Sequence, residues 1–401
     1  MYTRLDDQIE ASRRSELEAI LRSCVHCGFC NATCPTYRLL GDELDGPRGR
    51  IYLIKQVLEG QAATRLTQEH LDRCLTCRAC ETTCPSGVQY GRLLDTGREI
   101  VDRQAGRSFW DRGIRSAIVR TFPYRRRFAF VLKVARRLGP LLSEAVRRKI
   151  PTVPPQPQPA QWPEPRHHRK MLIYPGCVQP ALAPAIDLAA AKVLDRLGIS
   201  LLQAKIGSCC GALPYHLSAQ ERALALARRN IDVWEPYRRQ GIEPIVSTAS
   251  GCGVMMKDYG RLLKNDPRYA EKAARFSAAV RDIAEVVAGE ELSVFRADGR
   301  RIAFQSPCTL QHGQRLNGMV EAILQKIGYR LAPVGDAHLC CGSAGVYSLL
   351  QPDLAAKLRD NKLQALQAGQ PDLIVTANIG CLTHLQTGAR QKVVHWIELL
   401  Q

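Results

Sequence analysis

The sequence predicts an α+β multidomain chain, in which an α-helical N-terminal domain with two cysteine runs precedes two pseudo-symmetric, cysteine-rich α/β lobes. Eight cysteines fall in two runs within residues 1–100, a proline-rich stretch follows at 151–165, and a set of four cysteines then occurs twice. At 401 residues the chain is long enough for several domains, and its 45% apolar content suits a globular fold.

The two N-terminal runs, CVHCGFCNATCP and CLTCRACETTCP, share the spacing C-x2-C-x2-C-x3-C-P. In this bacterial ferredoxin pattern three closely spaced thiolates bind one [4Fe-4S] cluster, while the fourth binds the neighbouring cluster. The pattern assigns two interleaved ligand sets, which are Cys24, Cys27, Cys30 and Cys84, and Cys74, Cys77, Cys80 and Cys34. Two zinc knuckles are the alternative, although a zinc site has no need of the third and fourth cysteines of each run. We expect His26 to be a solvated neighbour, because four thiols compete with it.

The stretch GPRGRIYLIKQVLEG, which lies between the two runs, has a helical pattern. The runs are separated by 39 residues, which is more than a compact ferredoxin needs. We therefore predict a helical ferredoxin domain over residues 1–100, with two [4Fe-4S] clusters.

A basic segment over residues 101–150 carries much of the net charge of +18 and is predicted to be helical, because FAFVLKVARRLGPLL alternates apolar and cationic positions. Between Arg103 and Lys149 there are fourteen Arg or Lys residues against two acidic ones. Three interpretations stay open: a solvated helical face, a contact with an acidic subunit, and a contact with an anionic membrane surface. The segment is followed by PTVPPQPQPAQWPEP, whose composition predicts a semi-rigid linker over residues 151–168.

An internal repeat follows the linker and divides the rest of the chain into modules at 169–295 and 296–401. Its cysteines match pairwise: Cys177 with Cys308, Cys209 with Cys340, Cys210 with Cys341, and Cys252 with Cys381, at offsets of 131, 131, 131 and 129 residues. Each copy alternates short apolar runs with helical stretches such as AIDLAAAKVLDRLG and MVEAILQKIG, a pattern that favours parallel α/β units. The first and last cysteines of each copy follow apolar strands, so we expect them at the carboxyl edge of a sheet, where such folds bind ligands.

The double ferredoxin run, the segment DGPRGRIYLIK and the two Cys-Cys-Gly modules ending in SGCG and NIGCLTHL together resemble the iron-sulfur subunit of bacterial glycolate oxidase. The resemblance covers nearly the whole chain. Similar module orders occur in D-lactate dehydrogenase fusions, in anaerobic glycerol-3-phosphate dehydrogenase and in heterodisulfide reductase, so equivalent subunits of the two dehydrogenases are the alternative.

This resemblance implies electron transfer within a flavoenzyme complex that oxidises glycolate to glyoxylate. An FAD-binding partner subunit would oxidise the substrate, and two [4Fe-4S] clusters would pass the electrons to an acceptor that is neither NAD nor O2, with quinone as one candidate. The sequence itself contains no G-x-G-x-x-G after a strand and no phosphate-binding loop, so we expect a non-flavin subunit without catalytic residues of its own.

The cysteines of the two modules have three possible roles: a further iron-sulfur cluster, a redox-active thiol surface, or packing. Heterodisulfide reductase relatives add a fifth cysteine in a final C-x-x-C, but this sequence has Met255 in the first copy and His384 in the second. Histidine is a known iron ligand, and thioether ligation is found mostly in haem proteins. We therefore expect an extra site, if one forms, to use Cys308, Cys340, Cys341, Cys381 and His384 rather than Cys177, Cys209, Cys210 and Cys252.

We expect a cytoplasmic location, with a peripheral contact on the inner face of the cytoplasmic membrane as an option for the basic segment. The N-terminal residues are polar, and no run approaches the roughly 18 apolar residues that span a bilayer. A nucleic-acid-binding regulator is the competing functional class. We do not expect nucleic acid as a partner, because the arginines lack interleaved stacking aromatics.

Overall fold

The structure, a computed structural model, describes residues 1, 3–6, 11–139, 161–204, 209–242 and 244–401. The linker prediction therefore falls outside the described residues between 151 and 160, as does the basic segment from 140 to 150. Contacts divide the chain into two units, one formed by residues 1–115 with 338–362 and the other by residues 116–337 with 363–401. The boundaries at residues 100, 150, 168 and 295 stay predictions.

The first unit is helical around the two cysteine runs. Its N-terminal helices are α1 (Ala11–Ser23), α2 (Phe29–Ala32), α3 (Pro35–Leu40), α4 (Pro47–Leu58), α5 (Arg65–Asp72), α6 (Ala79–Thr83) and α7 (Tyr90–Ala105). The predicted helix GPRGRIYLIKQVLEG corresponds to α4. Its side chains Ile54 and Leu58 pack with Leu93 and Leu94 of α7 in one apolar core. This core holds the short helices α2 and α6, which are too short to be stable alone.

Two basic helices follow, α8 (Phe109–Thr121) and α9 (Arg125–Leu138). The predicted helical pattern of the basic segment is thus present through residue 138. Phe128 and Leu132 of α9 are buried in the core of the second unit, while Phe130 and Val131 are exposed. The helix therefore packs through one apolar stripe and leaves other apolar side chains among its arginines.

The second unit contains two four-stranded parallel sheets with the same strand order. The strands of the first sheet are β1 (Arg169–Ile173), β2 (Ile199–Gln203), β3 (Ile245–Ser247) and β4 (Val280–Asp282) in the order β2-β1-β3-β4. Those of the second are β5 (Arg301–Gln305), β6 (Arg330–Leu331), β7 (Leu373–Thr376) and β8 (Lys392–His395) in the order β6-β5-β7-β8. The pseudo-symmetric lobes predicted from the repeat are confirmed.

Helices connect these strands, as parallel pairing requires. In the first lobe they are α10 (Gln179–Leu182), α11 (Ala185–Arg196), α12 (Ala212–His216), α13 (Gln220–Arg239), α14 (Ser250–Lys257), α15 (Tyr259–Leu262), α16 (Ala270–Ala279) and α17 (Ile283–Ala288). The second lobe and its flanking segment contain α18 (Met319–Ile327), α19 (Tyr347–Leu350), α20 (Pro352–Gln367) and α21 (Ile379–Gln386).

The two lobes share a single apolar core. Ile173 and Val246 from the first sheet belong to the same buried cluster as Ile302 and Val375 from the second. Polar contacts join the lobes where the strands end: Ser250 Oγ lies 2.7 Å from Thr309 Oγ1. Because burying one Ile or Val side chain contributes about 1.5–3 kcal/mol, this common core makes the lobes one folding body.

Within the described ranges, no helix is both long enough and apolar enough to cross a membrane.

Candidate metal centres

The first cysteine set surrounds a pocket of about 430 Å³. Cys24, Cys27, Cys30 and Cys84 all line it. The first three belong to the run that leads into α2, while Cys84 follows α6 in the other run. Cys80 also borders this pocket, so the two sets are close neighbours.

The thiols of this set are held close enough to influence one another. Burial raises the pKa of Cys30 to about 11, and the negative charges of Cys24 and Cys84 add to the effect. Four thiolates therefore repel one another here unless a cation neutralises them. A bound metal supplies that charge and allows the thiols to ionise.

The second cysteine set surrounds a pocket of about 300 Å³, lined by Cys34, Cys74, Cys77 and Cys80. Burial raises the pKa of Cys80 well above its ordinary value. The negative charges of Cys77, Cys74 and Cys34 raise it further. Cys34 belongs to the first run, so the fourth cysteine is exchanged between the pockets as the ferredoxin spacing predicts.

Polar groups contact both sets: the N-terminal ammonium of Met1 donates to the carbonyl oxygen of Cys24 over 2.7 Å, and several side chains surround the second set. Arg98 donates 2.7 Å hydrogen bonds to the carbonyl oxygens of Leu71 and Cys74, and the Tyr90 hydroxyl donates to Cys74 Sγ over 3.5 Å. Burial lowers the pKa of Arg50, but the negative charges of Cys74, Tyr90, Cys34 and Asp45 outweigh it and leave that pKa above its ordinary value. The sequence analysis did not identify these residues. The sequence did contain one indication that Arg50 is buried. Arg50 lies four positions before Ile54 and seven before Val57, so this charged residue falls on the apolar stripe of α4.

His26 lies within the first run and is exposed. Its backbone φ of 59° is in the left-handed region, as the tight turn between Cys24 and Cys27 requires. Its ring centroid is 6.3 Å from that of Tyr52.

The structure brings together all four cysteines of the first Cys-Cys-Gly module. Hydrogen-bond contacts link Cys177 to Cys209, Cys209 to Cys210, and Cys210 to Cys252. Cys209 and Cys210 are buried, and Met255 packs in the same cluster. Cys252 lies in the first turn of α14, five residues beyond the end of β3, and Cys177 follows β1. The carboxyl ends of the two strands therefore bring these two cysteines to one edge of the sheet.

The doubled cysteine is held by its own backbone. Tyr259 donates to the carbonyl oxygen of Cys210 over 2.7 Å, and Asn230 donates to that of Cys209 over 3.0 Å. Gly211 has a φ of 91°, and a Cβ there would lie 3.0 Å from the carbonyl oxygen of Ala223. The glycine of the motif thus permits a left-handed turn that directs both sulfurs into the cluster.

The thiols of this cluster shift one another's pKa in opposite directions. Hydrogen bonds from Cys209 and Cys252, with one from the backbone N–H of Ala212, lower the pKa of Cys210 well below the ordinary value despite burial. The same contacts raise the pKa of Cys209 and of Cys252. Thiols that share hydrogen bonds in this way are close enough to bind a common metal ion or to take part in redox chemistry.

The cysteines of the second module are divided between the two units. Cys308 follows β5, and Cys381 lies in α21 with His384, all in the second unit. Cys340 and Cys341 belong to the segment 338–362 of the first unit. Within that unit the hydroxyl of Tyr347 donates to the carbonyl oxygen of Arg73 over 3.1 Å.

None of the sixteen cysteines forms a disulfide. Five cysteines line the first N-terminal pocket and four line the second, with Cys80 in both, and this donor set fits iron-sulfur clusters.

Comparison with known proteins agrees with these sites. A family model described as a 4Fe-4S dicluster domain matches residues 20–88, and one described as a cysteine-rich domain matches residues 171–257 and 302–386. The crystal structure of a hypothetical protein from Helicobacter pylori superposes with a TM-score of 0.54 at 11% identity, covering 97% of this chain and 72% of that one. This likeness supports the fold alone.

The chain is 53% identical over 405 residues to the glycolate oxidase iron-sulfur subunit of Escherichia coli (strain K12), covering 100% of this chain and 98% of that relative. It is 30% identical to the probable glycolate oxidase iron-sulfur subunit of Bacillus subtilis (strain 168), covering 96% and 94%. Lactate utilization protein A of an Exiguobacterium species is 25% identical over 56% of this chain. Similarity of this extent shows that the chain belongs to the family of glycolate oxidase iron-sulfur subunits.

Proposed function

We propose that the chain carries electrons between an FAD-binding partner subunit, which oxidises glycolate to glyoxylate, and an acceptor such as a quinone. Oxidation of the alcohol carbon releases two electrons and two protons, and the flavin of the partner accepts them. Two [4Fe-4S] clusters, when bound, supply the one-electron steps that divide this pair. The contribution of the chain is to hold the clusters close together and to set their potentials.

The observation that carries the proposal is the exchange of the fourth cysteine between the two pockets. Cys84 lines the pocket of the first run, and Cys34 lines that of the second. We assign the first set to one cluster and the second set to the other on this basis. Two independent zinc knuckles would need no such exchange.

The test uses the chain purified without oxygen, alone and with its flavin-bearing partner. We expect about eight irons per chain, and EPR signals that glycolate elicits only when the partner is present. D-Lactate and glycerol 3-phosphate, offered in the same assay, distinguish the alternative dehydrogenases. A chain that takes up zinc instead of iron, or that glycolate reduces without the partner, would contradict the proposal.

We also propose a further metal site at Cys177, Cys209, Cys210 and Cys252. The contacts among these four cysteines support the site. The difference between Met255 and His384 favours the second module as its place. We expect iron beyond eight per chain, and its loss in Cys210→Ser. Cys341→Ser serves as the matched control in the other module. Loss of the extra iron in Cys341→Ser, with full retention in Cys210→Ser, would assign the site to the second module instead.

For helix α9 we propose a peripheral contact with an anionic membrane surface. Phe130, Val131 and Leu138 are exposed beside the arginines of RRRFAFVLKVARRL. Each Arg or Lys near an anionic leaflet contributes about 1 kcal/mol, and the exposed apolar side chains can enter the headgroup region. Replacing Arg125, Arg126 and Arg127 with Gln should weaken sedimentation with vesicles that contain phosphatidylglycerol. Unchanged binding to those vesicles, with weakened binding to the flavin partner, would assign the charges to an acidic subunit.

A further inference from the structure

The segment DGPRGR at the start of α4 contributes residues to both cysteine pockets. Pro47 lines both, Arg48 lines the first and Arg50 lines the second. Residues two positions apart are about 200° apart around a helix, so neighbouring arginines face opposite sides of α4. The segment therefore provides one guanidinium group for each cysteine set.

The two arginines differ in their exposure to water. The side chain of Arg50 is 0% exposed, and its Nη1 lies 3.1 Å from Thr36 Oγ1 and 4.0 Å from Cys34 Sγ. The side chain of Arg48 is 33% exposed, and its Nε pairs over 2.6 Å with a Glu43 carboxylate that is 40% exposed. Water and this carboxylate screen the charge of Arg48, but water does not screen Arg50.

The carboxylate beside Arg50 does not cancel the local positive charge. Asp45 accepts from Arg50 over 3.2 Å, and it also accepts from Arg73 over 2.9 Å. Two guanidinium groups thus share one buried carboxylate, and the Nδ1 of His70 lies 3.1 Å from the same oxygen as Arg50. Arg73 also pairs with Glu69, a carboxylate that is 50% exposed and is therefore screened by water. The buried carboxylate of Asp45 is thus divided between Arg50 and Arg73, and it does not neutralise Arg50 alone.

One hydroxyl group adds to the difference between the cysteine sets. Tyr90 donates to Cys74 Sγ over 3.5 Å. Thr36 Oγ1 also lies 3.3 Å from Cys34 Sγ, but it donates its one proton to the carbonyl oxygen of Asp45 over 2.8 Å. In the first set, Cys30 Sγ instead lies 3.9 Å from Asn31 Oδ1, which can only accept. Hydrogen bonds to ligand sulfurs and buried positive charge both stabilise the reduced, more negative form of a cluster.

We propose that Arg50 gives the site formed by Cys34, Cys74, Cys77 and Cys80 a higher reduction potential than the site formed by Cys24, Cys27, Cys30 and Cys84. The proposal rests on the assignment of two [4Fe-4S] clusters under the proposed function. When the two bound clusters share a single electron, that electron would reside mainly at the site formed by Cys34, Cys74, Cys77 and Cys80. This transfer moves a single electron between the two sites, and no bond of the protein forms or breaks.

The test is a redox titration of the iron-loaded chain followed by EPR, with Arg50→Gln and its matched control Arg48→Gln. Cys27→Ser and Cys77→Ser assign each signal to its site. In the wild type, the signal of the second site should appear first as the potential is lowered. Arg50→Gln should lower the midpoint of that site alone, changing the electron distribution between the sites at least about tenfold, or 59 mV for one electron.

Arg50→Lys should leave the reduction potential of the second site close to that of the wild type. Tyr90→Phe should lower this potential by less than Arg50→Gln does. These variants and the wild-type order of reduction keep the proposal testable if Arg50→Gln does not fold. A wild type in which the first site is reduced earlier would overturn it, as would equal shifts in Arg50→Gln and Arg48→Gln. An iron content well below eight would instead contradict the proposed function, so the two failures are distinguishable.

Discussion

The Nε2–H group of His395 donates a hydrogen bond to the backbone carbonyl oxygen of Thr248 across 2.9 Å. This bond joins the end of β8 in the second lobe to the loop after β3 in the first. The other ring nitrogen, Nδ1, accepts from the N–H of Ile397 over 3.3 Å. The neutral ring thus forms a hydrogen bond with each of its nitrogens. An additional proton on Nδ1 would point at the N–H group of Ile397, which is itself a donor.

Acid should destabilise the shared core of the two lobes through His395. Burial lowers the pKa of His395 from 6.5 to about 4. The unfolded chain therefore binds this proton first, and stability is lost as the pH falls from about 6.5 to 4, by about 3 kcal/mol in full. The His395→Gln variant has no imidazole to protonate. The difference between its free energy of unfolding and that of the wild type should therefore shrink as the pH falls from about 6.5 to 4. Urea unfolding followed by the fluorescence of the buried Trp396 measures it. His168→Gln, at an exposed position, should parallel the wild type; a deficit in His395→Gln that stays constant with pH would contradict the prediction.

Removing the carboxylate of Asp45 should destabilise the first unit strongly. Asp45→Asn leaves Arg50 in the interior without its counter-charge, a change that typically costs 3–5 kcal/mol. Glu43→Gln, which breaks the exposed pair with Arg48, should cost less than about 1 kcal/mol. Denaturant titration of both variants makes the comparison. Similar losses would show that Arg50 is better solvated than its burial indicates.

A single methyl group on Gly211 should disturb the thiol cluster of the first module. Gly211→Ala places a Cβ in a left-handed backbone conformation, at a cost of about 1–2 kcal/mol, and against the carbonyl oxygen of Ala223. Gly113→Ala is the control, because nothing lies within 4 Å of its Cβ position inside α8. The control should be stabilised by up to about 1 kcal/mol. Thermal unfolding measures both, and a neutral Gly211→Ala would mean that the loop can rearrange.

Removal of iron should loosen α2 and α6 and leave the sheets intact. The two helices contain four and five residues, so bonds to their cysteines would supply much of their order. Hydrogen exchange before and after chelation should show lost protection at residues 29–32 and 79–83. The amides of β3 and β7 should exchange as before. Unchanged protection of α2 and α6 would indicate that apolar packing alone holds them.

Much of the fold could be predicted from periodicity. The stretches AIDLAAAKVLDRLG and MVEAILQKIG correspond to α11 and α18, and the apolar runs before Cys177 and Cys308 correspond to β1 and β5. Such patterns depend on residues that are close in the sequence, so they can be recognised without knowledge of tertiary contacts. The spacing of the two runs also predicted that Cys34 and Cys84 would lie in opposite pockets. The ligand sets themselves stay a prediction.

What could not be predicted depends on distant contacts. Arg50 can be buried because Asp45, Thr36 and the carbonyl oxygen of His70 accept hydrogen bonds from it. The sequence around Arg50 does not indicate which residues these partners are. The segment with Cys340 and Cys341 groups with the N-terminal helices, although its sequence is a copy of the loop at Cys209 and Cys210. A repeat predicts equivalent local structure, and each copy can still pack against different neighbours.

The exchange of Cys34 and Cys84 between the pockets has a consequence for biosynthesis. A chain made from its N-terminus has synthesised the whole first run by residue 34, yet the first pocket lacks its fourth sulfur until residue 84 has left the ribosome. Neither pocket can be completed before the other run has been made. Under the proposed ligand sets, a nascent chain that is interrupted between the two runs has no complete group of four sulfurs to bind iron.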